Sequence, residues 1–283
     1  MTAPTCVAYV REALGDPELE VEIENVQRWS ASAEYAERLR EGRVFLAGDS
    51  AHVMPPTGGF GGNNGVQDGY DLAWKLAYVL NGRADESLLD TYDAERQPVG
   101  AFTTEQAYTR YVLRLDPSLG KDDLMPIVPE APVELGYRHR SAAVLADADD
   151  QTWEDPATPS GRPGFRAPHV PVTADGVEQS TLDLFGKGFV LLAGPEGERW
   201  CAAAGPAAES FGVPVRAYRL GADVTDATGA LEASYGTGPT GAVLVRPDGF
   251  VAWRTSEAHA EPEDELARAL GAALGRGAAV TAG

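Results

Sequence analysis

The spacing of apolar residues along the chain predicts a mixture of strands and helices. A short apolar run closed by a turn, such as Val44–Ala47 before Gly48-Asp49, predicts a buried strand. Apolar residues three or four positions apart predict helices. In the first part of the chain these patterns predict a helix over Pro4–Leu14, a half-exposed strand from Val21 to Trp29, and a helix over Ala31–Arg40 capped by Ser30.

The stretch Arg43–Gly82 carries the most specific pattern. After the strand, Pro55-Pro56 excludes regular structure, and four glycines between positions 58 and 62 let a backbone approach another group closely. A helix is predicted from near Asn63 to Asn81-Gly82, with apolar residues at helical spacing: Val66, Tyr70, Ala73, Leu76, Ala77 and Leu80. Because a helix N-terminus presents free N–H groups and partial positive charge, this loop predicts a site for an anion or for a ring that becomes anionic.

The rest of the chain divides into a long helix, a loop-rich stretch and a second module. A helix is predicted from Asp85 towards Leu115, with a kink at Pro98. Asp116–Pro132 is predicted to be a linker, and Tyr137–Ala146 a strand or a helix, with the strand favoured. The predicted elements of the second module are the strands Phe189–Ala193, Val213–Leu220, Ala242–Val245 and Phe250–Trp253 and the helices Trp200–Phe211 and Glu263–Leu274.

Composition and charge narrow the class of protein. The chain has 283 residues, enough for one large or two modest domains, and 43% of them are hydrophobic, as in ordinary globular proteins. The formal net charge of −20 argues against nucleic acid and anionic membranes as partners, because both bind through Lys/Arg patches. No apolar run reaches the roughly 20 residues that cross a bilayer. Cys6 and Cys201 lack metal-binding spacing, and there is no signal-peptide pattern, so a cytoplasmic location is predicted.

Several pieces of the sequence resemble a known family. In order along the chain they are RVFLAGDSAH (Arg43–His52), PPTGGFGGNNG (Pro55–Gly65), DLAWKL (Asp71–Leu76) and YDAERQPV (Tyr92–Val99). They resemble the second FAD-binding motif of the flavoprotein aromatic monooxygenases, the para-hydroxybenzoate hydroxylase group, and within it the branch that hydroxylates polyketides. RPGFRAPHV (Arg162–Val170) and GAVLVRPDGFVAWR (Gly241–Arg254) resemble the C-terminal domain of that branch.

The resemblance implies an α/β fold in which part of an FAD-binding domain is followed by a thioredoxin-like domain. The implied organisation is a remnant of the substrate-binding layer (1–42), the second half of the FAD-binding domain (43–115), a linker (116–160) and a thioredoxin-like domain without a CxxC motif (161–283). The family's first motif, a strand, a G-x-G-x-x-G turn and a helix for the FAD pyrophosphate, is not found before Arg43. The match at Gly236, Gly238 and Gly241 precedes a strand instead of following one, so we interpret it as a chance match.

The resemblance also assigns residues to the cofactor. It implies that Asp49 accepts hydrogen bonds from the ribityl hydroxyls and that Pro56 lies beside the flavin ring. The backbone N–H groups of Gly62 and Asn63 would stabilise negative charge on the reduced ring, as preorganised donors do elsewhere. Gly48, Gly59 and Gly61 complete the predicted FAD contacts. No side chain is assigned a catalytic role and no metal is expected, since FAD, with NAD(P)H as co-substrate and O₂, supplies the chemistry.

Other polar residues leave alternatives open. His52 is equally compatible with a catalytic and a structural role. Arg96 is predicted to form a structural ion pair with Asp93 or Glu95, Trp74 to pack, and Lys75 to be a surface charge. Trp200 and Cys201 stand where thioredoxins have WCxxC, but Ala204 replaces the second cysteine, so a structural role, such as dimerisation, is favoured over a redox role.

Two functions of different classes follow from the sequence. The first is the flavin-site portion of an FAD monooxygenase acting on a small aromatic substrate, which would need an N-terminal part, in one candidate form a separate partner chain. The second is a non-catalytic assembly or relic subunit that binds a protein through its thioredoxin-like domain. Because apolar surface would be left uncovered in either case, a homo-oligomer is expected.

Overall fold

The computed structural model describes residues 2–27 and 30–277. The chain divides into two compact units, Met1–Ser32 and Ala33–Gly283. The helices are α1 (Ala3–Leu14), α2 (Phe60–Leu80), α3 (Asp90–Arg114), α4 (Glu130–Leu135), α5 (Glu198–Phe211), α6 (Leu231–Tyr235) and α7 (Pro262–Ala273). The strands are β1 (Glu34–Tyr35), β2 (Arg40–Glu41), β3 (Val44–Phe45), β4 (His52–Val53), β5 (Pro171–Ala174), β6 (Val177–Ser180), β7 (Phe189–Ala193), β8 (Val215–Arg219), β9 (Val224–Thr225), β10 (Ala242–Val245) and β11 (Val251–Thr255).

The first unit consists of α1 and an irregular segment. α1 has almost the predicted bounds and ends at Gly15, whose φ of 69° is the left-handed conformation that glycine adopts at low cost. The predicted strand beginning at Val21 is wrong for residues 21–27, which belong to no strand or helix. Their alternating pattern finds no neighbouring strand to pair with. Trp29, the predicted end of that strand, lies outside the described residues.

Four short strands open the second unit, and the first two begin within the stretch where a helix was predicted. The prediction of a helix over Ala31–Arg40 is wrong: Tyr35 pairs with His52 in β1–β4, and Arg40 pairs with Phe45 in β2–β3. The Leu39 N–H also donates to the Asp93 carboxylate. These long-range bonds outweigh a helix propensity that is worth only tenths of a kcal/mol per residue. The predicted buried strand Val44–Ala47 is shorter than expected, and its first residue, Val44, is 65% exposed.

α2 and α3 are the two long helices of the second unit, and they precede its C-terminal sheet. α3 is preceded by a 3₁₀ turn (Glu86–Leu89) that Asp85 caps by accepting from the Ser87 N–H. Pro98 lies inside the helix, and the kink predicted there stays a prediction. The long stretch after α3 contains α4 but no strand at Tyr137–Ala146, so the preference for a strand there is wrong. Only an isolated bridge joins Tyr137 to Trp153.

The C-terminal region is built on a four-stranded sheet in the order β11-β10-β7-β8. β7 and β8 are parallel, whereas β10 is antiparallel to both β7 and β11. α5 and α7 pack on one face through residues such as Trp200 and Leu270, and Trp74 and Tyr78 of α2 enter the same core. A three-stranded sheet, β6-β5-β9, lies at the other face and was not predicted. Among the described helices, none combines the length and apolar composition needed to cross a bilayer.

Candidate functional site

The acidic turn (Gly48–Ser50) and the start of α2 are held together by a close approach of two glycines. Gly48 has a φ of 57°, and a Cβ added to Gly65 would lie 3.0 Å from the Gly48 Cα. The Gly48 N–H donates to Asp68 of α2 over 3.0 Å. A side chain at Gly65 would push the turn away from the helix, whereas Gly48 is favoured by its left-handed φ, since a Cβ there would meet the Gly65 Cα at an ordinary 3.7 Å.

Asp49 is exposed in the acidic turn, as is Ser50. Its carboxylate has no hydrogen-bond partner among the described residues, while the neighbouring Ser50 hydroxyl is occupied by the Ala47 backbone. In the glycine loop (Pro55–Asn63), Pro55 is buried and Pro56 is exposed. Asp49 and Pro56 therefore offer an unused acceptor and an apolar ring to a ligand outside the protein surface.

The glycine loop ends at the N-terminus of α2. Gly58 and Gly59 both have positive φ, 101° and 73°, and a Cβ on Gly58 would lie 2.4 Å from the Phe60 ring. A Cβ on Gly62 would meet no atom within 4 Å, so the space in front of the helix is open there. This bare surface is the kind that lets a planar ligand approach the backbone.

The start of α2 also decides which N–H groups are free. In an α-helix each N–H donates to the carbonyl four residues earlier. Because α2 begins at Phe60, the N–H groups of Phe60, Gly61 and Gly62 have no helical acceptor, whereas the Gly59 carbonyl is the helical acceptor for the Asn63 N–H. The Asn63 side chain donates to Glu134 over 2.6 Å. Of the two predicted donors, Gly62 is thus the one that remains available.

A buried network lies beneath the loop and the turn. Asp68 accepts hydrogen bonds from the Gly48 N–H and from Arg96 Nε, the latter at 2.8 Å, and it contacts His52 Nε2 at 2.8 Å. Arg96 also donates to the Asn64 amide oxygen. Burial by itself would raise the pKa of Asp68, but the bonds from His52 and Arg96 hold it below its ordinary value. The ionised carboxylate therefore ties the turn, α2 and α3 into one framework.

This network bears on two of the assignments made from the sequence. His52 is 3% exposed and faces Asp68, so it lies beneath the turn and takes a structural position. The predicted pairing of Arg96 with Asp93 or Glu95 is wrong, since Arg96 pairs with Asp68. Spacing along one helix suggested those partners, but Arg96 faces the neighbouring helix.

A second buried network joins α2 and α3 to the C-terminal sheet. Lys75 donates to Asp71 and Glu95, both at 2.7 Å, and Arg246, in the turn between β10 and β11, donates to Glu95 and Asp248. Trp74 donates to Asp248 over 3.1 Å, in addition to its predicted packing. Lys75 has no exposed surface, so its prediction as a surface charge is wrong. Periodicity could not reveal these contacts because the partners lie on distant segments.

Four residues of this junction network have the side chains of metal ligands. The ligand atoms of Asp71, Glu95, His139 and Asp248 lie within 4.8 Å of one another. Lys75 and Arg246 already pair with these carboxylates and offset two of their three negative charges without an ion. Burial lowers the pKa of His139 to about 3 and raises that of Asp71 to about 7. Burial by itself would raise the pKa of Glu95, but Arg246 and Lys75 hold it well below its ordinary value.

Cys201 lies in the first turn of α5, half buried. Burial raises the pKa of its thiol, and the carboxylates of Asp223 and Glu198 act in the same direction. Ala204, the position of the second thioredoxin cysteine, is buried. A thiol with a raised pKa and no second thiol is poorly suited to disulfide exchange.

The exposed groups match the ring-side half of a flavin site. They are an unpaired carboxylate on the acidic turn, a proline face, open space at Gly62 and free helix N–H groups. The described residues contain no strand followed by G-x-G-x-x-G and a helix, because Gly236 ends α6 and Gly241 precedes β10. The residues present therefore fit the flavin and ribityl parts of FAD, but they include no phosphate-binding turn for its pyrophosphate.

Comparison with protein families agrees with these observations. Residues 1–107 match the FAD binding domain family, and residues 160–277 match the family described as aromatic-ring hydroxylase, C-terminal. These matches confirm both the resemblance and the fold class predicted from the sequence. The individual domain boundaries and the cofactor-contact residues stay predictions.

Individual relatives cover nearly all of this chain. A 4-methyl-5-nitrocatechol 5-monooxygenase from Burkholderia sp is 49% identical over 97% of the chain, and aklavinone 12-hydroxylase RdmE from Streptomyces purpurascens is 50% identical over 97%. The crystal structure of aklavinone-11 hydroxylase with FAD and aklavinone matches with a TM-score of 0.93 at 50% identity, covering 98% of this chain and 52% of that one. The chain spans about half the length of the curated relatives it matches, 52% and 51% in these two cases.

Proposed function

This chain belongs to the FAD-dependent aromatic-ring hydroxylases, and we propose that it supplies the flavin-ring side of the cofactor site in a monooxygenase that hydroxylates an aromatic, polyketide-type substrate. The observation that carries the proposal is the geometry at the start of α2. Free N–H groups, open space at Gly62 and the unpaired Asp49 carboxylate lie on adjacent segments that the Gly48–Gly65 contact holds together.

Each predicted contact residue has a physical role in this proposal. Asp49 accepts hydrogen bonds from ribityl hydroxyls, and Gly48 provides the left-handed turn that presents it. The N–H of Gly62, with Asn63 as the next residue of the same helix turn, would stabilise the negative charge that the ring gains on reduction. Gly59 and Gly61 keep side chains away from the ring, and Pro56 covers it from the loop.

The remaining chemistry belongs to the bound group. FAD, when bound and reduced by NAD(P)H, supplies activation of O₂ and transfer of one oxygen atom to an electron-rich ring. The protein's contribution at this site is to hold the ring, stabilise its charge and exclude water. The named substrates of the relatives, aklavinone and 4-methyl-5-nitrocatechol, support an aromatic substrate class for this chain.

Further parts of the proposal concern partners and location. The pyrophosphate of FAD needs a phosphate-binding turn, so we propose that tight FAD binding requires a polypeptide segment supplied in addition to these 283 residues. The exposed apolar positions of α2 support self-association when no such segment covers them. The free cysteines Cys6 and Cys201 support a reducing, cytoplasmic setting.

The cofactor proposal is tested by titrating the chain with FAD and following flavin absorbance and fluorescence. Alone, the chain should bind weakly, with a dissociation constant above ~1 μM, which corresponds to about −8 kcal/mol. Co-expression with the N-terminal half of the aklavinone 12-hydroxylase relative should yield a yellow complex that consumes NAD(P)H and O₂ with an aromatic substrate. A colourless complex, or submicromolar binding by the chain alone, would contradict this proposal.

Asp49→Ala in the reconstituted complex tests the assignment of the acidic turn. Each buried hydrogen bond to a charged acceptor is worth roughly 1.5–3 kcal/mol, so flavin affinity should fall at least about tenfold. Asp123→Ala, another exposed aspartate, is the matched control and should retain flavin. Equal flavin retention in the two variants would remove Asp49 from the site.

A further inference from the structure

The short helix α4 is fixed against the start of α2. Val133 of α4 belongs to the same apolar cluster as Phe60, the first residue of α2, and each is 1% exposed. Gln67 of α2 donates to the Glu134 carbonyl over 3.0 Å, and the Tyr137 hydroxyl donates to the Gln67 amide oxygen over 2.9 Å. α4 therefore has a defined position beside the free N–H groups of α2.

The Glu134 side chain brings a negative charge to this position. Its carboxylate is half-buried, accepts from Asn63 Nδ2 over 2.6 Å and forms no ion pair with any described residue. The Asp68 carboxylate of the same helix differs, because Arg96 pairs with it. A carboxylate is favourable beside the positive end of a helix dipole. Glu134 thus occupies the end of α2 that is proposed to receive the charge of the reduced flavin.

Covalent geometry limits how far this carboxylate lies from the free N–H groups. The side-chain nitrogen of an asparagine lies at most about 5 Å from its own backbone nitrogen, so Glu134 Oε1 lies within roughly 8 Å of the Asn63 N–H. Two like charges about 8–10 Å apart, at an effective dielectric constant of about 20, shift an equilibrium at least about tenfold. The charge of Glu134 is therefore close enough to act on an anion bound at the start of α2.

We propose that Glu134 tunes the flavin, because its carboxylate opposes the negative charge that the ring gains on reduction while the N–H groups of α2 favour that charge. The inference rests on the proposed function, which places the ring at this helix end. The hydride that NAD(P)H gives up, leaving NAD(P)⁺, carries two electrons and one proton to the ring, so the ring gains one negative charge. Glu134 thereby weakens binding of the reduced ring relative to the oxidised ring and lowers the reduction potential of bound FAD.

Three substitutions separate the charge of Glu134 from its contact with Asn63. Glu134→Gln removes the charge but keeps the side-chain length and an oxygen that accepts from Asn63. Glu134→Asp keeps the charge on a shorter side chain. Glu130→Gln removes an equal charge from an exposed position one turn earlier on α4 and is the matched control.

The test measures the reduction potential of FAD in the complex of the full chain with the N-terminal half of the aklavinone 12-hydroxylase relative, by equilibration with a reference dye at low ionic strength. Glu134→Gln should strengthen binding of reduced relative to oxidised FAD about tenfold, which raises the potential by about 30 mV for a two-electron couple. Glu134→Asp and Glu130→Gln should change this ratio less than about twofold, or about 9 mV. Fluorescence titration with oxidised FAD should give the same affinity for the parent and for Glu134→Gln.

Each other outcome decides against the inference. Equal potentials in the parent and in Glu134→Gln, with FAD bound in both, overturn it and leave the proposed function standing. An equal rise in Glu130→Gln would assign the effect to the net charge of the chain, and an equal rise in Glu134→Asp would assign it to side-chain position. Loss of oxidised FAD from Glu134→Gln alone would mean that the carboxylate builds the site instead of opposing the ring charge. A colourless parent complex overturns the proposed function, and this inference with it.

Discussion

The two faces of α2 differ from those of an ordinary amphipathic helix, because the buried face mixes aromatic residues with charged ones and the outer face is largely apolar. The buried face carries polar and charged side chains, among them Asn64, Asp68 and Lys75, with exposures of 3%, 0% and 0%. The outer face carries Val66 and Leu80, which are 74% and 81% exposed. The polar face is inside because every charge on it meets an opposite charge from α3 or the C-terminal sheet, whereas the described residues offer the apolar face no partner.

The comparison shows that the apolar pattern of a helix locates the helix but does not identify which of its faces is buried. Helical spacing located α2, and the loop before it pointed to ligand binding. The spacing could not show that Asp68 and Lys75 belong to two buried networks, one beneath the acidic turn and one at the junction with the C-terminal sheet. Buried charges of this kind stabilise only when their partners are in place.

Arg246→Ala should have the largest effect, because it breaks the inner network at the junction. It leaves the carboxylates of Glu95 and Asp248 buried without their main partner, which costs about 3–5 kcal/mol of the free energy of unfolding. Urea denaturation measures this loss. Arg216→Ala, which removes an exposed pair, should cost about 0–1 kcal/mol. Similar losses in both variants would mean that the junction network contributes no more than a surface pair.

The pH dependence of stability should isolate His139, which faces Glu95, Arg246 and Asp248. Its pKa is lowered from 6.5 to about 3, so below pH 6.5 the unfolded chain binds a proton that the folded chain does not. Its contribution is therefore complete above pH 6.5 and is lost as the pH falls towards 3. Asp71, raised from 3.8 to about 7, acts in the opposite direction between those values.

The contribution of Asp71 largely cancels when His139→Gln is compared with the parent chain. The difference in unfolding free energy between them should shrink by about 2 kcal/mol between pH 6.5 and pH 5, given about 1.4 kcal/mol per pH unit. Chemical denaturation at a series of pH values measures it. A difference that does not change with pH would mean that folding does not shift the pKa of His139.

Two glycines of α2 compare the faces directly. Gly69→Ala, on the outer face, meets no atom within 4 Å and should stabilise the chain by about 0.5–1 kcal/mol through helix propensity. Gly65→Ala puts a methyl group 3.0 Å from the Gly48 backbone, and the overpacking should cost about 1–3 kcal/mol. Thermal melts of both variants measure these changes in stability. A stabilised Gly65→Ala variant would show that the acidic turn moves away from α2 at no cost.

The smallest expected effect on stability comes from polar substitution of the outer face. Val66→Gln with Leu80→Gln should change the free energy of unfolding by less than about 1 kcal/mol, since surface substitutions are each usually within about 0.5 kcal/mol. Light scattering should nevertheless show less self-association than in the parent. Val177→Gln, which alters a 58% exposed residue on β6, is the control and should leave association unchanged. A parent chain that is monomeric at crystallisation concentrations would contradict the premise.

Several parts of the molecule could be predicted from the sequence because their causes are local. The bounds of β7 and β10 match the predicted strands residue for residue, and α1, α5 and α7 differ by a few residues at most. The failures at Ala31–Arg40 and Tyr137–Ala146 lie where distant strands and side chains decide the conformation. The hairpin β5–β6 was overlooked although Asp175-Gly176 at its turn was a usable signal.

The sequence by itself determined the family, the glycine loop, the acidic turn and the thioredoxin-like module without a second cysteine, because short motifs record local backbone needs. Only the tertiary structure decided which face of α2 is buried, that Arg96 pairs with Asp68, and that Lys75 and Arg246 meet at Glu95. It also decided that the Glu134 carboxylate meets Asn63 at the start of α2. These outcomes depend on groups up to 175 positions apart, as with Asp71 and Arg246, and no local pattern records such distances.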